Sequence, residues 1–254
     1  MDEISDQVTP GGIRRHARPA IQLGRRGTTT AGVLALVALV AGLLSVVPVL
    51  EEPGYLRSIP SREAEVVSGA LFQALMVPAY AGFALALYPT LRRASPALSL
   101  GFVGFRLVAC GFHLLAVAML PLLIDLGQGF DRATDPYSYE VVAETLRRGR
   151  DLVNHVVVIM AMALGDLLLF HILCRWRLVP RWLSVWGIVG AVLTILASLL
   201  LLSGVVGVVS VAYLSLNGPL ALHGLAFAGW LIGRGFDTRL VGGGGRRPRT
   251  ERRK

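Results

Sequence analysis

Apolar residues in this chain come in long, nearly unbroken runs. They do not alternate, and they are not confined to one face of a helical repeat. Six runs cover about residues 30–50, 66–88, 98–124, 152–174, 182–202 and 208–233. With a rise of 1.5 Å per residue, a helix needs about 20 apolar residues to cross a hydrocarbon core of roughly 30 Å. Each run therefore predicts a spanning helix, and the chain reads as an all-α, six-transmembrane-helix bundle. The polar breaks fit the same plan. Thr28 to Thr30 offer N-cap hydroxyls to the first helix. Glu51 to Glu65 is an acidic loop broken by Pro53, Gly54 and Pro60, and Pro89 to Ala97 reads as a tight turn. Pro78 predicts a kink in helix 2, and Asn217-Gly218-Pro219 an interruption in helix 6. The long connection Asp125 to Asp151 holds six acids and four arginines, with a short helix expected over Tyr139 to Arg150. The resulting organisation is a polar, disordered tail over 1–28, a membrane domain over 29–237 and a Gly/Arg-rich tail over 238–254.

Charge orients this plan. The net charge of +9 would suggest nucleic acid in a soluble protein. The mean hydropathy of +0.62 and the 54% apolar content place the chain in a membrane instead, and no nucleic-acid partner is expected. Of the 25 basic residues, 18 fall on one side of the alternating helices: in the two tails, the 2–3 turn and the 4–5 turn. Six fall on the other side, and Arg106 lies between them. The positive-inside rule then puts both termini in the cytoplasm, with the chain as a multi-pass protein of the cell's inner (plasma) membrane. The C-terminal cluster after Gly242–Gly245 is suited to anionic lipid headgroups. Cys110 and Cys174 both fall inside predicted membrane helices, so neither a disulfide nor a zinc site is expected.

The candidate chemistry lies among the polar residues inside the apolar runs. In the 27 residues from Leu98 to Ile124, Arg106 and His113 are the only charged or imidazole side chains. A guanidinium in hydrocarbon costs at least about 2.5 kcal/mol and needs a partner or water. Counting from the cytoplasmic ends, Arg106 and Asp166 both lie about 12 Å deep and His223 about 15 Å. Arg106, Cys110 and His113 share one stripe of helix 3. His155, Met162 and Asp166 share one of helix 4. An Arg106–Asp166 salt bridge between these antiparallel helices is therefore expected. Its plainer role is to hold two helices in register. The functional alternative is a pocket for a polar or anionic solute beside Arg106, Asp166, His223 and His113. Haem ligation is disfavoured, because His113 and His155 differ in depth by about 6 Å, and no cofactor is expected. His155 is placed at the outer headgroups, and His223 is placed to satisfy carbonyls freed at the Asn217–Pro219 break. Gly101-x-x-Gly104 and Gly187-x-x-Gly190 permit close helix approach. No G-x-S-x-G, H-E-x-x-H or phosphate loop is present. A structural or interaction protein of the membrane is thus the first functional reading, a small permease-like protein the second, and an intramembrane enzyme the weakest.

Three stretches carry a family resemblance. Arg175 to Gly190, RWRLVPRWLSVWGIVG, resembles the helix 4–5 junction of the bacterial membrane proteins grouped as domain-of-unknown-function family 4386. Leu87 to Leu91 with Gly101 to Arg106, and Pro219 to Phe236, are similar to its helix 2–3 region and its last helix. The resemblance spans about residues 30–237. It implies six membrane helices with no assigned activity. It also implies glutamates shortly after the helix 3 arginine and the helix 6 proline, where this chain carries Ala109 and Gly224. Asp166 is our inferred substitute as the arginine's partner.

The orientation is directly testable. Cysteine introduced at Ser138 should react with an impermeant maleimide in intact cells, while cysteine at Ser95 should stay unlabelled. The opposite pattern would overturn the topology.

Overall fold

A computed structural model describes residues 19–237, with side chains described from residue 25. Six helices are long and apolar enough to cross a membrane. They are α1 (Pro19–Leu44), α2 (Glu63–Ala94), α3 (Pro96–Phe130), α4 (Pro136–Arg175), α5 (Arg181–Leu202) and α6 (Val211–Gly233). Short helical turns at Pro48–Glu51, Tyr55–Ser58 and Ile59–Ser61 fill the α1–α2 connection, and no strand occurs among the described residues.

The boundaries differ from the sequence expectation in four places. Helix α1 starts at Pro19, so Thr28 sits inside it and donates to Arg25 O at 2.9 Å instead of capping an end. The expected tail therefore lies outside the described residues only up to residue 18. The α2–α3 turn shrinks to Ser95. Its extended backbone (φ −153°, ψ 99°) is what a following proline demands, and Pro96 opens α3, while Pro89 is absorbed into α2. The short helix of the long connection does not stand alone. Asp135 caps it by accepting from Ser138 N, and it then runs through a π-helical turn, Val153–Val158, into the rest of α4. The Ser138 hydroxyl also donates to Asp135, and these bonds hold that carboxyl below the ordinary aspartate range. Finally, Asn217-Gly218-Pro219 does not interrupt α6. Asn217 Nδ2 donates to Tyr213 O at 2.9 Å within a continuous helix.

Each spanning helix packs extensively on its two sequence neighbours, and α6 closes against α1. The bundle is thus a closed ring of six helices in chain order. Bilayer lipid wets its outside, where Leu43, Leu71, Leu100 and Leu222 are each more than three-fifths exposed.

The two ends of the ring differ. At the end holding Arg25 and Asp237, all six helices contribute to one apolar plug. It contains Ala31, Leu87, Leu91, Phe102, Leu169, Leu173, Leu183 and Leu231, none more than 1% exposed. At the opposite end the packed residues lie to one side, where the α1–α2 connection covers α3 and α4 through Leu50, Leu56, Ile59, Leu120, Leu123 and Ala143. This leaves the axis of the ring hollow on that side.

Glycine sets how closely some neighbours approach. A Cβ at Gly190 of α5 would stand 3.1 Å from the Cα of Leu220 in α6, whereas one at Gly104 would meet nothing within 4 Å. Between bilayer helices, such close packing is a main source of association. Gly190→Leu should therefore lower stability by about 1–3 kcal/mol, as overpacking does. Gly104→Leu should be nearly neutral. Thermal unfolding of the two variants in detergent checks the contrast.

Candidate functional site

Arg106 is buried, and its Nη2 donates to Asp166 Oδ1 across the α3–α4 seam. Local sequence explains why the guanidinium can meet a side chain as short as aspartate there. Gly165 precedes the aspartate, and a Cβ on it would lie 3.3 Å from Phe105 Cβ. At Gly101, one turn before Phe105 in α3, a Cβ would lie 2.9 Å from Leu168 Cδ1. Without side chains at these points, the helices come close enough for the carboxylate to reach the guanidinium. Three rings complete the enclosure. The Arg106 Cζ lies 5.8 Å from the Tyr80 centroid, 5.2 Å from Phe83 and 5.7 Å from Phe102. An ion pair together with cation–π contacts offsets the cost of carrying this charge into the bilayer.

The pair lines a cavity of about 350 Å³ to which every helix contributes. Ala38, Tyr80, Arg106, Asp166, Thr194 and Gly224 represent α1 to α6 in turn. The lining also includes Ala221 of α6, which is exposed. A second cavity of about 380 Å³ shares Gly42, Met76, Tyr80, Ile159 and Met162 with the first, so the two are contiguous. This outer cavity is lined by His113, Asn154, His155, Arg150 and Asp151 and reaches exposed Glu51 and Val209 at its rim. The apolar plug lies toward the other end. The ring is therefore a cup, hollow from the α1–α2 connection down to Arg106 and Asp166.

The structure separates the four residues singled out in the sequence. Arg106 and Asp166 meet. His113 belongs to the outer cavity, with Nδ1 3.1 Å from Asn154 Oδ1 and its ring edge-on to Tyr80. His223 lines neither cavity. Its Nε2 lies 2.9 Å from Leu183 O, and its ring is packed among Phe170, Trp186 and Phe227. It thus serves α5, not a break in α6. His155, expected at the headgroups, lines the outer cavity instead, with its Nδ1 3.3 Å from the Tyr213 hydroxyl.

Other lining residues escaped the sequence reading. Arg150 and Asp151 look like loop charges until the connection is seen to continue α4. Gln73 carried a usable signal as the one amide side chain in the apolar run from Val66 to Tyr88.

Among the described residues, seven buried side-chain polar atoms lack a hydrogen-bond partner. Five belong to residues lining the two cavities: Arg106 Nε, Thr194 Oγ1, Gln73 Oε1, His113 Nε2 and Arg150 Nε. Each of these residues is less than a tenth exposed. Buried polar atoms without partners are rare, and such groups mark where water or a ligand binds. No group of three His, Cys, Asp or Glu side chains among the described residues is arranged to hold a metal ion. Both cysteines are free.

The ion pair can be tested on its own. Asp166→Asn strands a guanidinium and Arg106→Gln strands a carboxylate, so each should destabilise by about 1–3 kcal/mol. The double variant should be less damaged than the two effects summed, with a coupling of about 0.5–2 kcal/mol in a denaturant or thermal cycle in detergent. Strict additivity would show that the pair contributes nothing as a pair.

Comparison with curated proteins and with solved structures finds no match. One family model does match, described as "Domain of unknown function (DUF4386)", and it covers residues 30–235. That match takes in all but the beginning of α1, the whole closed ring and both cavities, and the chain belongs to the DUF4386 family.

Proposed function

We propose that this chain is a small solute-binding protein of the permease type. In this reading the cup faces outside a bacterial inner membrane, both termini are cytoplasmic, and a polar or anionic solute enters as far as Arg106 and Asp166. The observation that carries the reading is the concentration of unpartnered buried polar atoms around one hollow axis. A bundle built only to pack would fill that axis with apolar side chains, as the plug end does. The two cavities fall within the size range of small-molecule sites, and their lining mixes an apolar wall with a few polar groups. An anionic group reaching the floor of the cup would compete with Asp166 for the Arg106 fork. Thr194 and the outer Arg150 offer further hydrogen bonds along the way.

Access from water tests the reading. In a background carrying Cys110→Ala and Cys174→Ala, Met162→Cys places a thiol where the two cavities join. It should react with a small charged methanethiosulfonate added outside intact cells. Leu222→Cys, on the lipid-facing surface, should not react. A folded Met162→Cys protein that stays unmodified would make the lumen sealed and dry. The Arg106–Asp166 pair would then be a device for helix register, and the chain a structural membrane protein.

A further inference from the structure

A second site lies at the plug end, independent of the cup. There the α4–α5 turn and the segment after α6 enclose a cleft of about 860 Å³. Among the described residues, Arg177, Arg181 and Arg234 line it, with Asp237 as the single acid. The walls are fastened together: Asp237 N donates to Leu178 O at 2.9 Å, and Trp230 Nε1 donates to Gly235 O at 3.1 Å. Arg234 is laid over Trp230, with its Cζ 4.8 Å from the ring centroid.

Arg177 is the unusual member. Helix α4 ends in a Schellman arrangement, with Leu178 N donating to Leu173 O at 3.1 Å. The residue at the left-handed position is Arg177, at φ 51°, and it is the one non-glycine residue with positive φ among those described. Glycine takes that position without strain, and an arginine does not. Nothing in the local backbone asks for a side chain here. What the arginine adds is a third guanidinium at the cleft.

The surroundings indicate what those guanidiniums meet. The cleft sits where three spanning helices end, which is headgroup level. Trp182 is 57% exposed beside it, as suits an interfacial tryptophan. From Trp182 an exposed apolar stripe runs along α5 into the bilayer through Val185, Val189 and Val192. We infer that this cleft binds the phosphate headgroup of an anionic phospholipid, with its acyl chains lying along the α5 stripe. Three guanidiniums against one carboxylate suit a phosphodiester. The continuous apolar stripe favours a lipid over a free phosphate ester.

The test uses the full chain, purified and presented with phosphatidylglycerol and phosphatidylcholine of matched acyl chains, with bound lipid read by native mass spectrometry. The wild-type protein should retain phosphatidylglycerol preferentially. Arg177→Gly, Arg181→Gln and Arg234→Gln should each weaken that retention about fivefold. Arg177→Gly should do so while leaving the melting temperature unchanged or raised, because it relieves the backbone strain. Arg93→Gln, an equal loss of charge on the same side, should retain lipid like the wild type. Equal retention in all variants, or an equal loss in Arg93→Gln, would overturn the site. Displacement of the lipid by millimolar glycerol phosphate would overturn the lipid assignment in favour of a soluble phosphate ester.

Discussion

The structure turns on one guanidinium buried inside a ring of spanning helices. A charge at that depth needs partners supplied by the protein, so Arg106 fixes much of what surrounds it. It requires a carboxylate at its own depth, and Asp166 is there. It requires α3 and α4 to approach closely, and Gly101 and Gly165 allow that. It is better held if aromatic faces cover it, and Tyr80, Phe83 and Phe102 do so from two helices. Since α2, α3 and α4 all serve this one charge, half the ring is ordered around it.

The same charge divides the ring along its axis. Phe83 and Phe102 cover Arg106 and also belong to the apolar plug, so on that side the packing is complete. On the other side Tyr80, Met162 and Thr194 face open space. A closed ring of six helices is wider than a four-helix bundle, and side chains must be large to meet at its centre. The plug achieves this with leucine and phenylalanine. Toward the cup the lining mixes small residues, Ala38, Gly42, Thr194 and Gly224, with larger ones such as Met76, Tyr80 and Met162 that leave the space between them open.

Much of this is legible in the sequence, and the remainder fails for identifiable reasons. The six spans follow from hydropathy alone, since a run of about 20 apolar residues has few other uses. The facing of Arg106 and Asp166 follows from depth and helical stripe together. His223 misled because its depth fits the pair, while its angle about α6 points it to Leu183 and the plug; depth alone does not place a side chain around a ring. The proline signals misled for a different reason. Proline excludes a helix mainly where the surroundings cannot re-satisfy the lost bond, and α2 accommodates Pro78 and Pro89 as α6 accommodates Pro219. Closure of α6 on α1 is a long-range property to which no local pattern corresponds. Arg150 and Asp151 are not legible as lining residues, because the charged stretch reads as a connection with a separate short helix, whereas the helix continues through it into the apolar run.

The positions at which the resemblance implies glutamates sharpen the meaning of Asp166. The resemblance places one acid at Ala109 and another at Gly224. Ala109 is fully buried in a small cluster with Val158 and Ala161 on the α3–α4 seam. Gly224 lines the inner cavity, where a Cβ would find Leu39 Cδ1 at 4.0 Å and little else. These two positions differ in kind. A glutamate at 109 would enter a packed seam and would have to pair across it. One at 224 would extend from α6 into open space on the axis, among the residues that surround Arg106. This chain has Ala109 and Gly224 at those positions, and among the described residues Asp166 is the one carboxylate lining the inner cavity. It therefore neutralises Arg106 and is also the negative charge that this lining offers. A solute that draws the arginine away leaves that carboxylate buried without its partner. In the proposed reading, pairing and solute binding at the floor of the cup would therefore be coupled through a single side chain, on α4.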